Sequence, residues 1–447
     1  MKTSLKEKNK KGIALWNRAK KVIPGGSQLL SKRSEMYLPD LWPSYAEKAK
    51  GCEVWDMDGN HYIDMTFMGI GTGILGYADP DVNRAVKRAI DNGSMTTLNS
   101  PEEVELAELL VKLHPWTKKN GMVRFTRSGG EAMAVAIRIA RAASGKERVA
   151  FCGYHGWSDW YLAANLAEKK ALDGHLLPGL EPKGVPRGLR GTMLPFSYNK
   201  IEELERLAKK YKNIGVIVVE TVRHDEPKNN FLKKVRAVAN KIDAVLVFDE
   251  ITVGWRLTVG GAHLVYGINP DIAVYAKAMS NGFPMGAIVG KHEIMQAAQE
   301  TFISSTYWTE RVGFVAALAT IKKLKAQNVP RHLKKIGGMI GDGWKRLAKK
   351  HGINLTVIGP ESLVTFSLNY GKESQAIRTL FTQEMLRRGF LANASVYVSY
   401  AHQEHHVRAY LAAVDEVFAI LKKAIDIKSV HKLLEGPIAH GGFKRLT

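Results

Sequence analysis

The chain has 447 residues, a formal net charge of +22, 45% apolar residues and 24% charged residues. That length supports a large core and two domains, and the composition is that of a folded globular protein, not a disordered or fibrous one. No stretch reaches the roughly 18 consecutive apolar residues of a membrane span. The basic start, Met1 to Lys11, leads into no apolar signal region, and the two cysteines, Cys52 and Cys152, provide neither a disulfide framework nor metal-ligand spacing. These features predict a cytoplasmic protein without a metal site. The positive charge is compatible with nucleic-acid binding or with a phosphorylated or nucleotide-linked substrate. No nucleic-acid motif accompanies it, and the lysines are spread along helical faces (Lys209, Lys210 and Lys212; Lys349 and Lys350), which a solvated basic surface accounts for.

In chain order, Lys8 to Val22 reads as an amphipathic helix that stops at the breaker Pro24-Gly25-Gly26. Asp58-Gly59-Asn60 marks a hairpin turn between alternating strands. Residues 66–77 are glycine-rich, either because backbone there passes close to something or because the segment is a plain loop. Helices are expected over Pro80 to Asn92 and Pro101 to His114. Met122 to Phe125 reads as a strand. It runs through Ser128-Gly129-Gly130 into a helix, Ala132 to Ala143. A strand, a glycine turn and a helix start make an anion cradle, because free N–H groups and the helix dipole converge there.

Arg148 to Cys152 is a further strand, followed by Gly153-Tyr-His-Gly-Trp157. Tyr154 can stack on a flat ring or simply pack in the core; His155 reads equally as a structural or a catalytic histidine. Residues 158–195 have little regular pattern and predict a lid or gate. Leu204 to Tyr211 and Leu232 to Lys241 read as helices. Between them Ile214 to Val219 is a strand ending on Glu220. Strands alternating with helices predict a doubly wound, mostly parallel sheet.

Two buried-type strands follow, Ala244 to Phe248 and Asp271 to Ala276. The first delivers Asp249 and the second Lys277 to their carboxyl ends, where open α/β sheets bind ligands. Pyridoxal phosphate needs such a pair: an amine for a Schiff base, and an acid that keeps the pyridine nitrogen protonated. A solvated lysine and a helix-capping acid are the bland alternatives. After a long helix, Val312 to Ala326, the pattern becomes helix, two strands, helix, helix. The expected division is 1–64 as an N-terminal arm and part of a small domain, 65–328 as the large domain, and 329–447 as the rest of the small α+β domain.

The string Phe248-Asp-Glu-Ile-Thr-Val-Gly-Trp-Arg256, Gly260-Gly-Ala262 and Asp271 to Gly282 resembles the signature of class III (omega-type) pyridoxal-phosphate aminotransferases, of fold type I. Val22-Ile-Pro-Gly-Gly26, Tyr154-His-Gly156 and Val398-Ser-Tyr-Ala-His402 are similar to the glutamate-1-semialdehyde 2,1-aminomutase branch of that family. The resemblance implies Lys277 as the Schiff-base lysine and Asp249 as the pyridine partner, the two catalytic residues. It implies cofactor contacts by Ser128, Gly129, Gly130, Tyr154, His155 and Glu220. Thr306 would reach the phosphate of the partner subunit, which makes a homodimer with shared sites the minimal unit.

The chain departs from the aminomutase pattern on the substrate side. Gly130 stands where that pattern has threonine. Glu220-Thr-Val-Arg-His-Asp225 replaces Glu-Pro-Val-Ala-Gly-Asn, and Lys32, with Arg33 beside it, stands where it has an arginine. Lys32, Arg33, Arg223 and His224 are therefore the substrate-side candidates. The implied reaction is amino transfer between a donor and a keto or aldehyde acceptor bearing a carboxylate, phosphate or sugar. The alternative is intramolecular transfer by an aminomutase. A decarboxylase, an epimerase or a non-catalytic descendant with a basic binding surface are the remaining readings. No nucleic acid, membrane or metal partner is expected.

Overall fold

The computed structural model describes residues 4–118, 120–175, 178–222, 225–443 and 446. Two compact units divide the chain: Met1–Asp79 with Arg331–Thr447, and Pro80–Pro330.

The first unit opens with β1 (Ala46–Lys50), β2 (Glu53–Asp56) and β3 (His61–Met65). The β2–β3 hairpin closes through Asp58-Gly59-Asn60 as expected, with Asp56 Oδ1 accepting from the amides of Asp58 and Asn60. The second unit carries β4 (Met122–Thr126), β5 (Arg148–Cys152), β6 (Met193–Pro195), β7 (Ile214–Glu220), β8 (Val245–Asp249), β9 (Ile272–Tyr275) and β10 (Gly286–Gly290). The chain then returns to the first unit with β11 (Leu355–Ile358), β12 (Leu363–Leu368), β13 (Phe390–Ala392) and β14 (Ser395–Tyr397). β13 pairs in parallel with β3, so the two ends of the chain share one sheet, order β1-β2-β3-β13; β11-β12-β14 form another. This is the α+β domain built from both termini. Residues 65–79, expected in the large domain, group instead with the first unit. Tyr77 holds them there: its hydroxyl donates to Asp64 Oδ2 at 2.6 Å, and its backbone bridges Gly51.

The large unit is the expected doubly wound α/β body, with sheet order β4-β10-β9-β8-β7-β5-β6. β10 alone runs antiparallel to its neighbours β4 and β9. The sequence signals neither β10 nor β6, because runs this short leave too few apolar residues to show a period. Along the central strands the period of two is strict. Val149, Phe151, Val216, Val218, Val245 and Val247 pack with the helix Gly129–Ser144. Ala150, Cys152, Ile217, Val219, Leu246 and Phe248 pack with the helix Phe231–Lys241 on the other face. The same alternation carries Glu220 and Asp249, at the strand ends, to the face of the Gly129–Ser144 helix. The two are register partners across β7 and β8.

The segment 158–195 is anchored at both ends and at two points between, while most of the described residues of 167–191 are exposed. Trp160, Tyr161, Ala163, Ala164, Leu166, Leu172, Val185 and Met193 are buried in the core beside the Gly129–Ser144 helix. Its aromatic and aliphatic residues are anchors whose spacing follows neither helix nor strand, and a pattern search passes over them. Among the described residues no helix is long and apolar enough to cross a membrane.

Candidate active site

The site begins where β4 ends. Ser128 caps the helix Gly129–Ser144, its Oγ accepting from the Glu131 amide while Glu131 Oε2 accepts from the amides of Ser128 and Arg127. This reciprocal box fixes the first turn. The amides of Gly129 and Gly130 have no partner among the described residues, so two N–H groups at the positive end of the helix stay available to an anion. Both glycines are also close-packed. A Cβ on Gly129 would lie 3.0 Å from the Ile251 side chain, and one on Gly130 would lie 2.7 Å from Trp157 Nε1.

The turn after β5 is gripped from three directions. Gly153 has a φ of +117°, and a Cβ there would meet Glu220 Oε2 at 2.6 Å, so only glycine fits without displacing the buried acid. The Gly153 amide donates to His175 Nδ1 at 3.2 Å, and its carbonyl accepts from the Tyr161 hydroxyl at 3.0 Å. The Tyr154 amide donates to Glu220 Oε2 at 2.8 Å. Glu220 thus positions the backbone of Tyr154, whose half-buried ring also packs against Tyr161.

His155, wholly buried, joins this turn to β8. Nδ1 lies 2.9 Å from Asp249 Oδ2, and Nε2 lies 3.2 Å from the Cys152 carbonyl oxygen. Both neighbours are acceptors. The ring therefore ties the β5 turn to the carboxyl end of β8. Asp249 Oδ1 accepts from the Ile251 amide at 3.0 Å.

Glu250, one residue on, has a different fate. It accepts from Thr221 Oγ1, the amides of Ala262 and His263, and His263 Nδ1, all within 2.9 Å. It therefore knits the ends of β7 and β8 to the Gly260–Ala262 glycine turn. Behind it, His114 donates from Nδ1 to the Leu110 carbonyl and accepts at Nε2 from the Tyr275 hydroxyl. Burial lowers the His114 pKa to about 4, in keeping with that neutral tautomer.

β9 breaks immediately before Lys277: Ala276 leaves the strand conformation and Lys277 adopts φ +45°. Lys277 Nζ donates to Thr252 Oγ1 at 2.8 Å. Thr252 is in turn held through its carbonyl by Arg256 Nε at 2.9 Å. Sequence reading passed over Thr252 as a partner of the lysine, although it lies inside the recognised signature. A hydroxyl at that spacing is legible as a contact only once the β8 turn has folded back.

Among the sequence candidates, Tyr154 is bound to Glu220 and His155 to Asp249, Ser128, Gly129 and Gly130 form the helix start, and Lys277 meets Thr252. Thr306 opens an exposed turn, Thr306–Thr309, that Arg127 steadies by donating to the carbonyls of Tyr307, Trp308 and Glu310. Lys32 is exposed in a short turn of the other unit, where the Arg33 guanidinium packs over Phe443. Arg223 and His224 lie outside the described residues.

The residues fit a phosphorylated pyridine aldehyde: the open amides of Gly129 and Gly130 at a helix start for an anion, a buried acid for a ring nitrogen, and a primary amine for a carbonyl. Comparison with known proteins points the same way. The family described as aminotransferase class-III matches residues 39–395. The 3-aminobutyryl-CoA aminotransferase of Cloacimonas acidaminovorans is 29% identical over 428 residues, 93% of this chain and 98% of that protein. A glutamate-1-semialdehyde 2,1-aminomutase of Methanothermobacter thermautotrophicus is 31% identical over 435 residues, 92% of this chain and all of that protein. Among solved structures, the PLP internal aldimine form of the FumI protein of Sphingopyxis sp. MTA144 superposes with a TM-score of 0.83 at 23% identity, covering 94% of this chain and 98% of that one.

Proposed function

This chain belongs to the class-III aminotransferase family of pyridoxal-phosphate enzymes, and from that premise we propose that it moves an amino group between a small-molecule donor and an anionic keto or aldehyde acceptor, at a site built on Lys277 and Asp249. The observation that carries this reading is the buried Asp249–His155 pair, one strand away from Lys277. Bound there, pyridoxal phosphate supplies an electron sink for the carbon that bears the amino group. Lys277 would hold the cofactor through Nζ and, once displaced by the donor's amine, take the proton from the substrate carbon and return it at the carbonyl carbon. Thr252 would orient that amine. Asp249, backed by His155, would keep a proton on the ring nitrogen. Tyr154 would stack on the ring, its backbone fixed by Glu220. Ser128, Gly129 and Gly130 would receive the phosphate at the helix start.

A homodimer completes the proposal. Thr306 is exposed, and beside it Phe302 and Tyr307 are 85% and 69% exposed, an apolar rim that a second copy would cover. The partner subunit's Thr306 would then add a phosphate contact. On the substrate side we assign Arg223, His224, Lys32 and Arg33 to the acceptor. A guanidinium forks onto a carboxylate or phosphate, and the net charge of +22 favours an anionic molecule, as the acyl-CoA name of one relative suggests. An Arg223→Ala protein should raise the acceptor's KM by about tenfold, the worth of one charge-assisted contact; unchanged KM and kcat would remove Arg223 from the site. We place the enzyme in the cytoplasm.

Intramolecular amino transfer is the second reading, favoured by the 31% identity to an aminomutase over that protein's full length. Absorbance spectra decide between them. If one amino donor converts the bound cofactor to its amine form and a separate carbonyl acceptor restores it, the transferase reading stands. If no donor does so while glutamate semialdehyde is rearranged, the aminomutase reading replaces it.

A further inference from the structure

Gly130 occupies the place where the related aminomutase pattern has a hydroxyl residue, so the phosphate cradle has lost a side-chain donor. The structure fills that space from another turn. Gly156, with φ +103°, lets the β5 turn approach so closely that a Cβ on it would lie 3.2 Å from the Gly130 Cα. The next residue, Trp157, is thereby laid over the helix start. Its Nε1 lies 2.7 Å from where a Gly130 Cβ would be. Trp157 is 70% exposed, and its indole N–H has no hydrogen-bond partner among the described residues. Lying that open, the indole N–H bonds to water and can exchange that water for the oxygen of an anion seated at the helix start.

We infer that Trp157 is a phosphate ligand of the cofactor, its Nε1–H donating beside the open amides of Gly129 and Gly130 in place of the missing hydroxyl. The inference rests on the pyridoxal-phosphate site proposed above. The absence of a side chain at residue 130 and the presence of tryptophan at residue 157 then form one device. Any side chain at 130 expels the indole, and without the indole the glycine leaves a gap.

The test is cofactor affinity, measured on the full-length apoprotein by equilibrium titration with pyridoxal phosphate and, separately, with pyridoxal, which lacks the phosphate. Trp157→Phe keeps the ring and removes the N–H, and the site's exposure leaves folding intact. It should weaken pyridoxal phosphate binding about tenfold, the range for one hydrogen bond to a charged group, and leave pyridoxal binding unchanged. Gly130→Ala should weaken pyridoxal phosphate binding similarly and add nothing in the Trp157→Phe background. Equal affinities of wild type and Trp157→Phe for pyridoxal phosphate would overturn the inference while leaving Lys277 and Asp249 as the site. So would a matching loss for pyridoxal, which would assign the indole to the ring or the fold. A wild-type protein that binds no pyridoxal phosphate at all would overturn both this inference and the reading beneath it.

Discussion

Two turns leave the large sheet on either side of β7, and they are held in opposite ways. The turn after β8 is held largely by its own residues, with Thr221 and Lys277 among its outside partners. Glu250 binds the nearby Ala262 and His263, Arg256 holds the Thr252 carbonyl, and the Gly254 amide returns to the Glu250 carbonyl. The turn after β5 is held from elsewhere: His175 and Tyr161 from the segment beyond it, and Glu220 from the neighbouring strand. The first is a compact local structure whose parts are close in sequence. The second is short, carries two glycines at positive φ, and depends on residues that no local pattern connects to it. Distant substitutions should therefore disturb the β5 turn far more than the β8 turn.

The largest expected effect lies just past β9, against the β8 turn. Lys277→Ala should lower turnover by more than about 10³-fold, since it removes both the amine proposed to hold the cofactor and the group proposed to move the proton. The protein should still bind cofactor, reversibly, in equilibrium dialysis. Substantial remaining turnover would mean that the β8 turn is scaffold only.

The support behind the β8 turn should be sensitive to acid. His114 has a folded pKa of about 4, below the ordinary value of 6.5. Between those limits the unfolded chain binds more protons than the folded one, so stability is lost as pH falls from 6.5 towards 4. The full shift corresponds to about 3 kcal/mol. Thermal unfolding followed across that window should show the slope, and His114→Gln should reduce it, the buried His402, also lowered to about 4, sustaining the rest. An unchanged slope would separate His114 from the turn's stability.

The β5 turn supplies the smaller tests. Gly153→Ala combines an unfavourable φ with a contact at 2.6 Å to Glu220 Oε2 and should destabilise the protein by about 2 kcal/mol. It should weaken cofactor binding more than it lowers the unfolding temperature predicts. Tyr161→Phe deletes the hydrogen bond to the Gly153 carbonyl, about 1 kcal/mol, and should lower kcat several-fold with little change in KM for the amino donor. If Tyr161→Phe is silent while Thr252→Ala is not, the outside grip on the β5 turn is not functional and the comparison fails.

The same contrast explains how much was legible in advance. The strands β5, β7, β8 and β9 are apolar runs of buried type, and their boundaries follow from hydrophobicity and the turn residues around them. The helix start at Ser128 is written in its cap and glycines. Asp249 and Lys277 are conspicuous because a charge at the end of a buried strand is costly without a task. The anchoring role of Trp160 and Tyr161 was hidden because their spacing has no period. The boundary near residue 79 was hidden because Tyr77 reaches back to Asp64 and Gly51 through contacts that leave no mark in composition.

By itself, then, the sequence determined the main strands and helices, the doubly wound class and the chemical types delivered to the sheet's carboxyl edge, because each is read from local runs of residues and their alternation along the chain. Only the tertiary structure decided that His155 answers Asp249, that Thr252 meets the Lys277 amine, that Glu220 serves the Tyr154 backbone, and that Trp157 lies over Gly130. Those pairings are contacts across the sheet edge between segments tens of residues apart. They depend on strand order, register and the direction in which each turn leaves its strand, which arise when the whole sheet assembles.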